Sequence, residues 1–516
     1  MGMMSGLQDA KLKGYIEKFN RNDEETQKQA VDNVHAYAFL KGNIPYFECP
    51  DPVLEETYYF RWWVYRKHIK QTPEGRFITE FHPEVPWAGP YNSINCAVGH
   101  HLAEGRWLRR PVGLMEEEID FWLQGSGDIY SYSSWIPYGV YEYALVSGKK
   151  DWAAARLRQL CRYYREVEKR NMTPYGLFWS DDDRDAMEMS ISGSGLRPTL
   201  NSYMYGNALA VSRIAGWAGE ERLRQEYREK ASALGRRMDR LLWDPEAAFY
   251  KVIPWKERAD GVPELSFGRI PAEHNVREEL GYIPWMFGIP DRTKSAAFDA
   301  LRDPACFRAP YGPTTADRSH PLYGCPCSHH ECLWNGPSWP FATTQTLNAL
   351  IRAFQEEKAD GAGTLFMELL ERYAASHYRR KEDGALVNWL DENLDPDTGE
   401  WISRSILEKW GWRKEKGGYE RGKDYNHSAF CDLVIRGIGG LVLGEEERLS
   451  IRPLLPLGYW DHYCLDGILF RGKTIGIYYD KTGERYGRAG YAVYADGRLL
   501  CASADQASCS VALEDE

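Results

Sequence analysis

Apolar residues recur at helical spacing through most of this 516-residue chain. Residues 157–164 and 347–354 follow the i, i+3, i+4, i+7 pattern, and residues 365–370 come close to it. Segments of this kind continue to about Leu443, with no clear strand-rich block among them, and the loops that join them are rich in glycine, proline and aromatic residues. Helical hairpins arranged in a closed ring, with functional loops gathered at one end, would produce this alternation.

The first 70 residues contain one clear helix signal. From about Leu7 to Leu40 the sequence is polar and helix-favouring, and prolines between residues 45 and 52 end that run. Asp51 followed by Pro52 is the pattern of an N-cap with a first-turn proline. Apolar and aromatic residues then recur at helical spacing to about Ile69, so we predict a helix here.

The pattern changes near Glu445. Beyond it, short stretches of alternating apolar residues are separated by turn signals at residues 481–483 and at Asp496-Gly497. Such alternation predicts antiparallel strands and hairpins. We therefore predict two units, a helical catalytic domain over residues 1–445 and a small β domain over residues 446–516.

Charge and hydropathy exclude several partner classes. The net charge of −11 leaves no basic stripe for nucleic acid and disfavours a polyanionic substrate. No apolar run approaches the ~18 residues of a membrane span, and the first 20 residues lack an apolar signal core. Eleven scattered cysteines fit reduced thiols better than a disulfide framework. We expect a cytoplasmic protein with no membrane or nucleic-acid partner; the sequence does not indicate its oligomeric state.

The most unusual loop begins at Ser180 and reads SDDDRDAMEMS. Its carboxylates are Asp181, Asp182, Asp183, Asp185 and Glu188. A structural protein gains little from so many mutually repelling charges behind an aromatic lead-in, whereas a pocket that must hold one protonated acid against a sugar could use them. We predict an active-site loop; a solvated acidic turn that caps the next helix is the alternative.

Two segments could be mistaken for metal sites. Asp181, Asp183 and Asp185 have the alternate spacing of a calcium loop, but the required glycine and the closing glutamate are absent. The segment CPCSHHEC, residues 325–332, holds cysteines and histidines close enough for zinc but lacks paired C-x-x-C spacing. We expect no metal and no other cofactor, and activity that survives chelation.

Five loop motifs, in this order along the chain, resemble one family. They are GYIPW…GIPD from Gly281, DP…PYG from Asp303, LWNGPSWPF from Leu333, DENLDPDTGE from Asp391 and YNHSA from Tyr425. Together they resemble the (α/α)6-barrel glycosidases, above all glycoside hydrolase family 63 and the mannosylglycerate-hydrolase-like proteins, with trehalases more distant. The resemblance covers roughly residues 175–440. It implies a mainly α fold, an (α/α)6 barrel, followed by a small C-terminal antiparallel β domain.

The resemblance also implies site residues. The general acid maps to Asp185, although Glu188 or Asp183 could hold that position, because Ala186 and the two residues after it replace the family's small polar residues and proline. The general base maps to Glu392, for which an ordinary acidic turn is the alternative. Further residues predicted to bind the substrate, several of which could equally be core or capping residues, are Trp87, Asn92, Trp179, Glu188, Asn201, Tyr203, Asn335, Trp339, Trp389 and Tyr425.

We therefore expect an inverting, exo-acting glycosidase that cleaves an α-linked glycoside or small oligosaccharide. One carboxylic acid would protonate the leaving oxygen and one carboxylate would activate water, with the two groups ~6.5–9.5 Å apart. The alternatives are a sugar epimerase or polysaccharide lyase on the same barrel, for which histidines are available, a non-catalytic sugar-binding relative, and phosphorolysis. The histidines concerned are His100, His101, His329, His330 and His427.

Overall fold

Helices form most of the regular structure in the computed structural model, which describes residues 7–254 and 265–513. They are α1 Leu7–Arg21, α2 Asn33–Asn43, α3 Pro52–Lys67, α4 Val98–Gly105, α5 Leu114–Leu123, α6 Ile136–Ser147, α7 Lys150–Ala154, α8 Leu157–Asn171, α9 Pro198–Trp217, α10 Glu221–Leu241, α11 Ile283–Met286, α12 Pro340–Gln355, α13 Ala362–Ala375, α14 Ile402–Lys409 and α15 Cys431–Leu433. The chain is mainly helical, as the periodicity predicts. Within the described residues no helix is both long and apolar enough to cross a lipid bilayer.

The predicted apolar stripes are the buried faces of these helices. Leu157, Leu160, Cys161 and Tyr164 are buried on α8, and the stripes of α12 and α13 face the same core, with only Phe354 partly exposed. The main helix contacts are α9 with α10, α6 with α9, α11 with α12, and α12 with α13. Helix pairs close in sequence therefore supply much of the packing.

The helix signal at Asp51 is confirmed. Its side chain accepts hydrogen bonds from the backbone N–H groups of Val53 at 2.8 Å and Leu54 at 3.0 Å, at the start of α3. The preceding run is interrupted, because residues 22–32 separate α1 from α2. Asp32 caps α2 by accepting from the His35 N–H at 3.0 Å.

The longest strands lie near the carboxyl end of the chain. The strands are β1 Tyr46–Glu48, β2 Ile69–Thr72, β3 Gly75–Ile78, β4 Trp179–Ser180, β5 Gly195–Leu196, β6 Trp243–Asp244, β7 Phe249–Tyr250, β8 Ile253–Pro254, β9 Tyr378–Arg380, β10 Leu386–Asn388, β11 Leu441–Val442, β12 Arg448–Ile451, β13 His462–Phe470, β14 Lys473–Asp480, β15 Gly490–Ala495, β16 Arg498–Ser503 and β17 Cys509–Ala512. A five-stranded antiparallel sheet has the order β1-β13-β14-β15-β16, and a three-stranded sheet has the order β11-β12-β17. The turn at Asp496-Gly497 joins β15 to β16 as predicted, and both residues have positive φ.

Two of these strands come from outside residues 446–516. Strand β1 pairs with β13 in antiparallel register, with Tyr46 opposite Asp466, and β11 pairs with β12. The amino-terminal part of the chain therefore completes the edge of the C-terminal sheet.

Short antiparallel strands hold the acidic loop in place. Strands β4, β5 and β8 form a three-stranded antiparallel sheet in which Trp179 lies opposite Leu196. Gly195 is needed in β5, because a Cβ there would lie 2.3 Å from the backbone oxygen of Ile253. The ribbon fixes both ends of the acidic loop, residues 181–194.

Candidate active site

Segments from six parts of the chain line a cavity of about 220 Å³. Its lining includes Glu80, Phe81, Trp87, Ile94, Cys96, Tyr132, Ala186, Glu188, His330, Glu331, Cys332, Trp339, Glu392, Glu415, Lys416, Arg421 and Tyr425. The lining brings together residues from segments 80–96, 186–188, 330–339 and 415–425 and from the single positions 132 and 392. Carboxylic acids and aromatic rings dominate it, which suits a ligand with many hydroxyl groups.

Glu188 projects from a tightly constrained part of the acidic loop. The residues around it include Ala186 and Met189, which both have positive φ, at 57° and 66°. Such a backbone conformation is uncommon for residues other than glycine and is found preferentially at functional sites. The Glu188 carbonyl accepts a hydrogen bond from the Trp334 N–H at 3.2 Å, which joins this loop to the segment 325–341.

Asp185 lies behind this loop and not in the cavity lining. Its carboxylate accepts hydrogen bonds from Ser133 Oγ at 2.6 Å and Ser180 Oγ at 2.7 Å, and it forms an ion pair with Arg197 Nε at 2.7 Å. Both Asp185 and Arg197 are fully buried. The carboxylate is thus saturated by its own neighbours and anchors the loop that carries Glu188.

The environment of Glu188 favours a protonated carboxyl group. Burial is the main cause, and the nearby carboxylates of Asp183, Glu392 and Glu80 act in the same direction, so that the pKa of Glu188 rises to about 8. Among the described residues no salt bridge to Glu188 is present. A carboxyl group that keeps its proton near neutral pH can act as a general acid.

Glu392 is held by the turn that follows β10. The next residue but one, Leu394, exchanges backbone hydrogen bonds with Ser338 at 2.9 and 3.0 Å. Asp395 Oδ1 then accepts from the N–H groups of Asp397 and Thr398, and Gly399 supplies the positive φ that closes the turn. The predicted DENLDPDTGE loop is therefore a rigid turn that presents a buried Glu392 to the cavity.

Arg421 binds Glu392 through both carboxylate oxygens, with Nη2 2.7 Å from each. Burial raises the pKa of Glu392 to about 7, and Arg421 opposes that rise. The same ion pair raises the pKa of Arg421, which stays charged. Glu392 is therefore easier to ionise than Glu188, although both are enclosed by protein.

The segment 325–332 contributes to the cavity. Glu331 pairs with Arg421 Nη1 at 2.8 Å and with Lys416 Nζ at 2.8 Å, while Cys332 Sγ lies 3.9 Å from Glu392 Oε2. The neighbouring His330 also lines the cavity. No group of three or more potential metal ligands comes together within residues 7–254 and 265–513.

A third carboxyl group, Glu80, forms another part of the wall. It accepts hydrogen bonds from the Tyr425 hydroxyl and from Cys96 Sγ, the latter at 3.0 Å, and burial raises its pKa. The Tyr425 ring stacks on His427 with centroids 3.8 Å apart. Tyr425 is thereby fixed between the cavity and the buried core.

Of the predicted substrate-binding residues, four line the cavity. Trp87 is 39% exposed and lies under the Arg421 guanidinium, whose central carbon is 5.1 Å from the ring centroid. Trp339 stacks on Trp334 with centroids 4.5 Å apart and donates from its indole N–H to the Leu333 carbonyl. The other two are Glu188 and Tyr425. Glu392, predicted as the base, also lines the cavity.

The remaining predicted residues are not brought into the cavity lining. Asn92 and Asn201 are buried and use their amides to hold backbone groups of Phe81 and Phe178. Trp179 is buried in β4, and Trp389 lies under Arg379 and Arg404. The last two are Tyr203, whose hydroxyl accepts from Gln345 at 2.6 Å, and Asn335, which donates to the Cys325 carbonyl at 2.8 Å. All six positions stabilise the loops around the cavity.

Several lining residues were missed from the sequence. Glu80 lies in a short stretch before Trp87, in a region where only Trp87 and Asn92 are predicted to bind the substrate. Arg421 and Lys416 lie in a polar stretch without apolar periodicity, where charges usually indicate a solvated surface. In the structure this stretch passes close to the turn that carries Glu392, because a Cβ at Gly422 would lie 2.0 Å from Asp391 Oδ1.

Comparisons with known proteins identify the family and similar folds. A family model, described as the mannosylglycerate hydrolase MGH1-like glycoside hydrolase domain, matches residues 90–428. A solved structure named Sialidase has a TM-score of 0.87 and 35% identity, over 98% of this chain and 45% of that chain. An α-L-rhamnosidase of Streptomyces avermitilis, solved with L-rhamnose, shares the fold with a TM-score of 0.52 and 13% identity, over 88% of this chain and 38% of that chain.

A protein of Borreliella burgdorferi named Uncharacterized protein is 24% identical over 158 residues, which are 29% of this chain and 32% of that protein. The chain thus spans less than half the length of these relatives. The family match, by contrast, covers well over half of the chain and includes both Glu188 and Glu392. The chain belongs to the family of mannosylglycerate hydrolase MGH1-like glycoside hydrolase domains.

Proposed function

We propose that this protein hydrolyses glycosidic bonds with Glu188 as general acid and Glu392 as general base. The observation that supports this proposal most strongly is the difference between the two carboxyl groups of one cavity. Within residues 7–254 and 265–513 Glu188 forms no salt bridge, whereas Glu392 is bound by Arg421 through both oxygens. Glycoside hydrolysis needs one protonated and one ionised carboxyl group, and their environments must separate the two pKa values.

We assign the general acid to Glu188, three residues after Asp185, the position that the family motif suggests. Asp185 accepts two serine hydroxyl groups and pairs with Arg197, so it has no free oxygen to present to a leaving group. Asp183, the other alternative, is exposed at the loop surface and does not line the cavity. Glu188 is the carboxyl group of this loop that faces the same cavity as Glu392.

The size of the cavity supports an exo-acting enzyme. Its 220 Å³ lie below the range of ~300–1,000 Å³ typical of pockets for drug-sized ligands. Space of this size fits a terminal sugar ring better than an internal segment of a polymer. We propose that the helices form an (α/α)6 barrel with the cavity at one end, that the linkage is α, and that the anomeric configuration is inverted.

The names of similar proteins do not identify the sugar. The structure named Sialidase is more than twice as long as its match to this chain, so its named activity belongs to the whole of that longer protein. We propose a carbohydrate substrate and leave the sugar to experiment. A cytoplasmic location also stays a prediction from the sequence.

The epimerase and lyase alternatives would use a histidine or a tyrosine in place of a carboxyl pair. Tyr132 and Tyr425 line the cavity, and burial raises the pKa of each. His100 and His427 are fully buried, and burial holds the pKa of each far below its usual range. Neither lines the cavity, although His330 does. Carboxyl groups therefore outnumber histidines where the substrate would bind, which favours hydrolysis by a carboxyl pair.

A panel of aryl α- and β-glycosides and α-linked disaccharides tests the proposal. We expect release of a terminal sugar from an α-glycoside, with Glu392→Gln losing turnover on every substrate that the wild type cleaves. Proton NMR of the first-formed product should show the anomer opposite to that of the substrate. Retention of configuration would reject inversion, and turnover by Glu392→Gln at the wild-type rate would reject Glu392 as the base.

A further inference from the structure

The proposed base belongs to a row of four side chains with alternating charge. Lys416 Nζ lies 2.8 Å from Glu331 Oε2, and Glu331 Oε1 lies 2.8 Å from Arg421 Nη1. Arg421 Nη2 lies 2.7 Å from both oxygens of Glu392. We call this row, in the order Lys416, Glu331, Arg421 and Glu392, the charge chain.

The charge chain connects three separate loops. Glu331 comes from the segment 325–341, Glu392 from the turn after β10, and Lys416 and Arg421 from the segment 413–421. Glu331, Arg421 and Glu392 are all about 2% exposed or less, whereas Lys416 is partly exposed. Their charges therefore interact with little screening by water.

We infer that Glu331 and Lys416 are positioning residues that act on Glu392 through Arg421. Arg421 donates to the carboxylates of both Glu331 and Glu392, so the share of its charge that Glu392 receives depends on Glu331. Lys416 in turn neutralises part of Glu331. This inference rests on the proposed function, because only a base gives the charge of Glu392 a role in turnover.

The contacts of the charge chain predict the direction in which each substitution shifts the pKa of Glu392. In Glu331→Gln, Glu392 is the one carboxylate that still pairs with Arg421, and the repulsion from Glu331 is gone. The pKa of Glu392 should therefore fall. In Lys416→Gln, the negative charge of Glu331 is no longer offset by a neighbouring ammonium group. Glu331 then repels the ionised form of Glu392 more strongly, and the pKa of Glu392 should rise. Consistent with this order, Glu331 raises the pKa of Glu392, while Arg421 and Lys416 lower the pKa of Glu331 against the effect of burial.

Other ionisable groups face Glu392 and stay constant in the comparison. They are Asp391 on its own turn, Glu188 on the acidic loop, Cys332 beside Glu331, and Tyr425 on the opposite wall. Two histidines also lie close: His427 is near the Glu392 backbone, and His330 is near Glu331 and Lys416. The Lys416 ammonium contacts Glu331, and the Lys416 backbone carbonyl accepts a hydrogen bond from Arg421 Nη1 at 3.0 Å, a contact that Lys416→Gln leaves in place.

The test compares Glu331→Gln and Lys416→Gln with the wild-type enzyme. For each protein, kcat/KM is measured against pH with one activated aryl glycoside that the wild type cleaves, and the Glu392 carboxyl is titrated by ¹³C NMR. In the plot of kcat/KM against pH, the limb on the acidic side reports the ionisation of Glu392. We expect this limb to move to lower pH by about one unit in Glu331→Gln, and to higher pH by roughly half a unit in Lys416→Gln. The NMR titration should move in the same directions.

Glu415→Gln is the matched control, because Glu415 lies beside Lys416 on the cavity rim and no salt bridge to it is present among the described residues. Its acidic limb should move much less than that of Glu331→Gln. Lys416→Gln keeps the inference falsifiable if Glu331→Gln does not fold, since the Lys416 side chain is partly exposed.

Shifts of one sign in both variants, or NMR titrations equal to the wild type, would overturn the inference. If the NMR titrations move in opposite directions as stated but the rate profiles do not follow, the charge chain stands and Glu392 is not the base. The two claims therefore fail by different results.

Discussion

Asp185 and Glu188 are three residues apart and lie in opposite environments. Asp185 accepts hydrogen bonds from two hydroxyl groups and pairs with a guanidinium, while Glu188 faces the cavity and forms no salt bridge in the part of the chain that the structure describes. The difference arises because Ala186 turns the chain with positive φ, so that the two side chains point to different surroundings. At the scale of single residues, the hydrogen-bond and charge partners of a carboxylate decide whether it is structural or a candidate acid, and its position in the sequence does not.

The substitution Asp185→Asn should mainly reduce stability. It removes one charge of a fully buried pair and leaves Arg197 without compensation, which should lower the free energy of unfolding by about 3–5 kcal/mol. Denaturant unfolding measures this loss. Asp181→Asn, on the exposed part of the same loop, is the control and should change stability by less than about 0.5 kcal/mol. Equal stability of the two variants would contradict a structural role for Asp185.

The pH dependence of kcat/KM should be bell-shaped with limbs close together. Glu392 must be ionised, so activity is lost as the pH falls through about 7, and Glu188 must be protonated, so activity is lost as the pH rises through about 8. Because the two groups interact, the limbs belong to the pair. Glu188→Gln should remove the falling limb. A profile that stays flat from about pH 6 to about pH 10 would contradict these roles.

Among the elements, loops held by close backbone contacts carry the site. The acidic loop is closed by β4 and β5, the base turn is paired with Ser338, and Gly422 brings Arg421 against that turn. Helices supply the frame on which these loops are mounted, which agrees with the usual division between scaffold and site.

The substitution Gly422→Ala should reduce activity without changing any charge. The added methyl group would lie 2.0 Å from Asp391 Oδ1, which accepts the Glu392 N–H at 2.9 Å, so Arg421 or the base turn must move. A displacement of about 1 Å can cost ~100-fold in rate, and we expect a loss of kcat/KM of that order. Gly444→Ala is the control, since no atom lies within 4 Å of its added Cβ. Equal kcat/KM in the two variants would show that the close contact is unimportant.

Sequence patterns predicted the elements better than the site. The stripe of α8 and the cap at Asp51 are local patterns, and both are found as expected. Glu392 was found through a local turn motif, whereas the contact of Glu80 with Tyr425 joins residues 345 positions apart. Contacts over such separations leave no periodicity in the sequence, so Glu80 and Arg421 could not be identified from it.

At the scale of the whole molecule, the C-terminal sheet depends on the helical part. β1 completes its edge, Arg471 donates its N–H to the Val146 carbonyl at 2.7 Å, and Arg109 Nε donates to the Gly467 carbonyl at 3.2 Å. A division of the chain at residue 445 would cut through these contacts and leave the β13 edge unpaired.

Residues 446–516 expressed alone should therefore not form a stable domain. We expect a poorly dispersed ¹H–¹⁵N correlation spectrum and no cooperative unfolding, because β1 and β11 are missing from its sheets. A fragment that begins at residue 440 restores only β11 and should remain unstable. A well-dispersed spectrum with cooperative melting of either fragment would show that the C-terminal sheet folds independently.

The most direct test of the account is the leaving-group dependence of Glu188→Gln. A variant without its general acid should cleave a dinitrophenyl glycoside at a rate close to wild type, because that leaving group needs no proton, and should lose ~100- to 10,000-fold on an unactivated alkyl glycoside. Asp185→Asn should show the same ratio between the two substrates as the wild type. Equal losses on both substrates for Glu188→Gln, or a leaving-group effect in Asp185→Asn instead, would contradict the assignment of Glu188 as the proton donor.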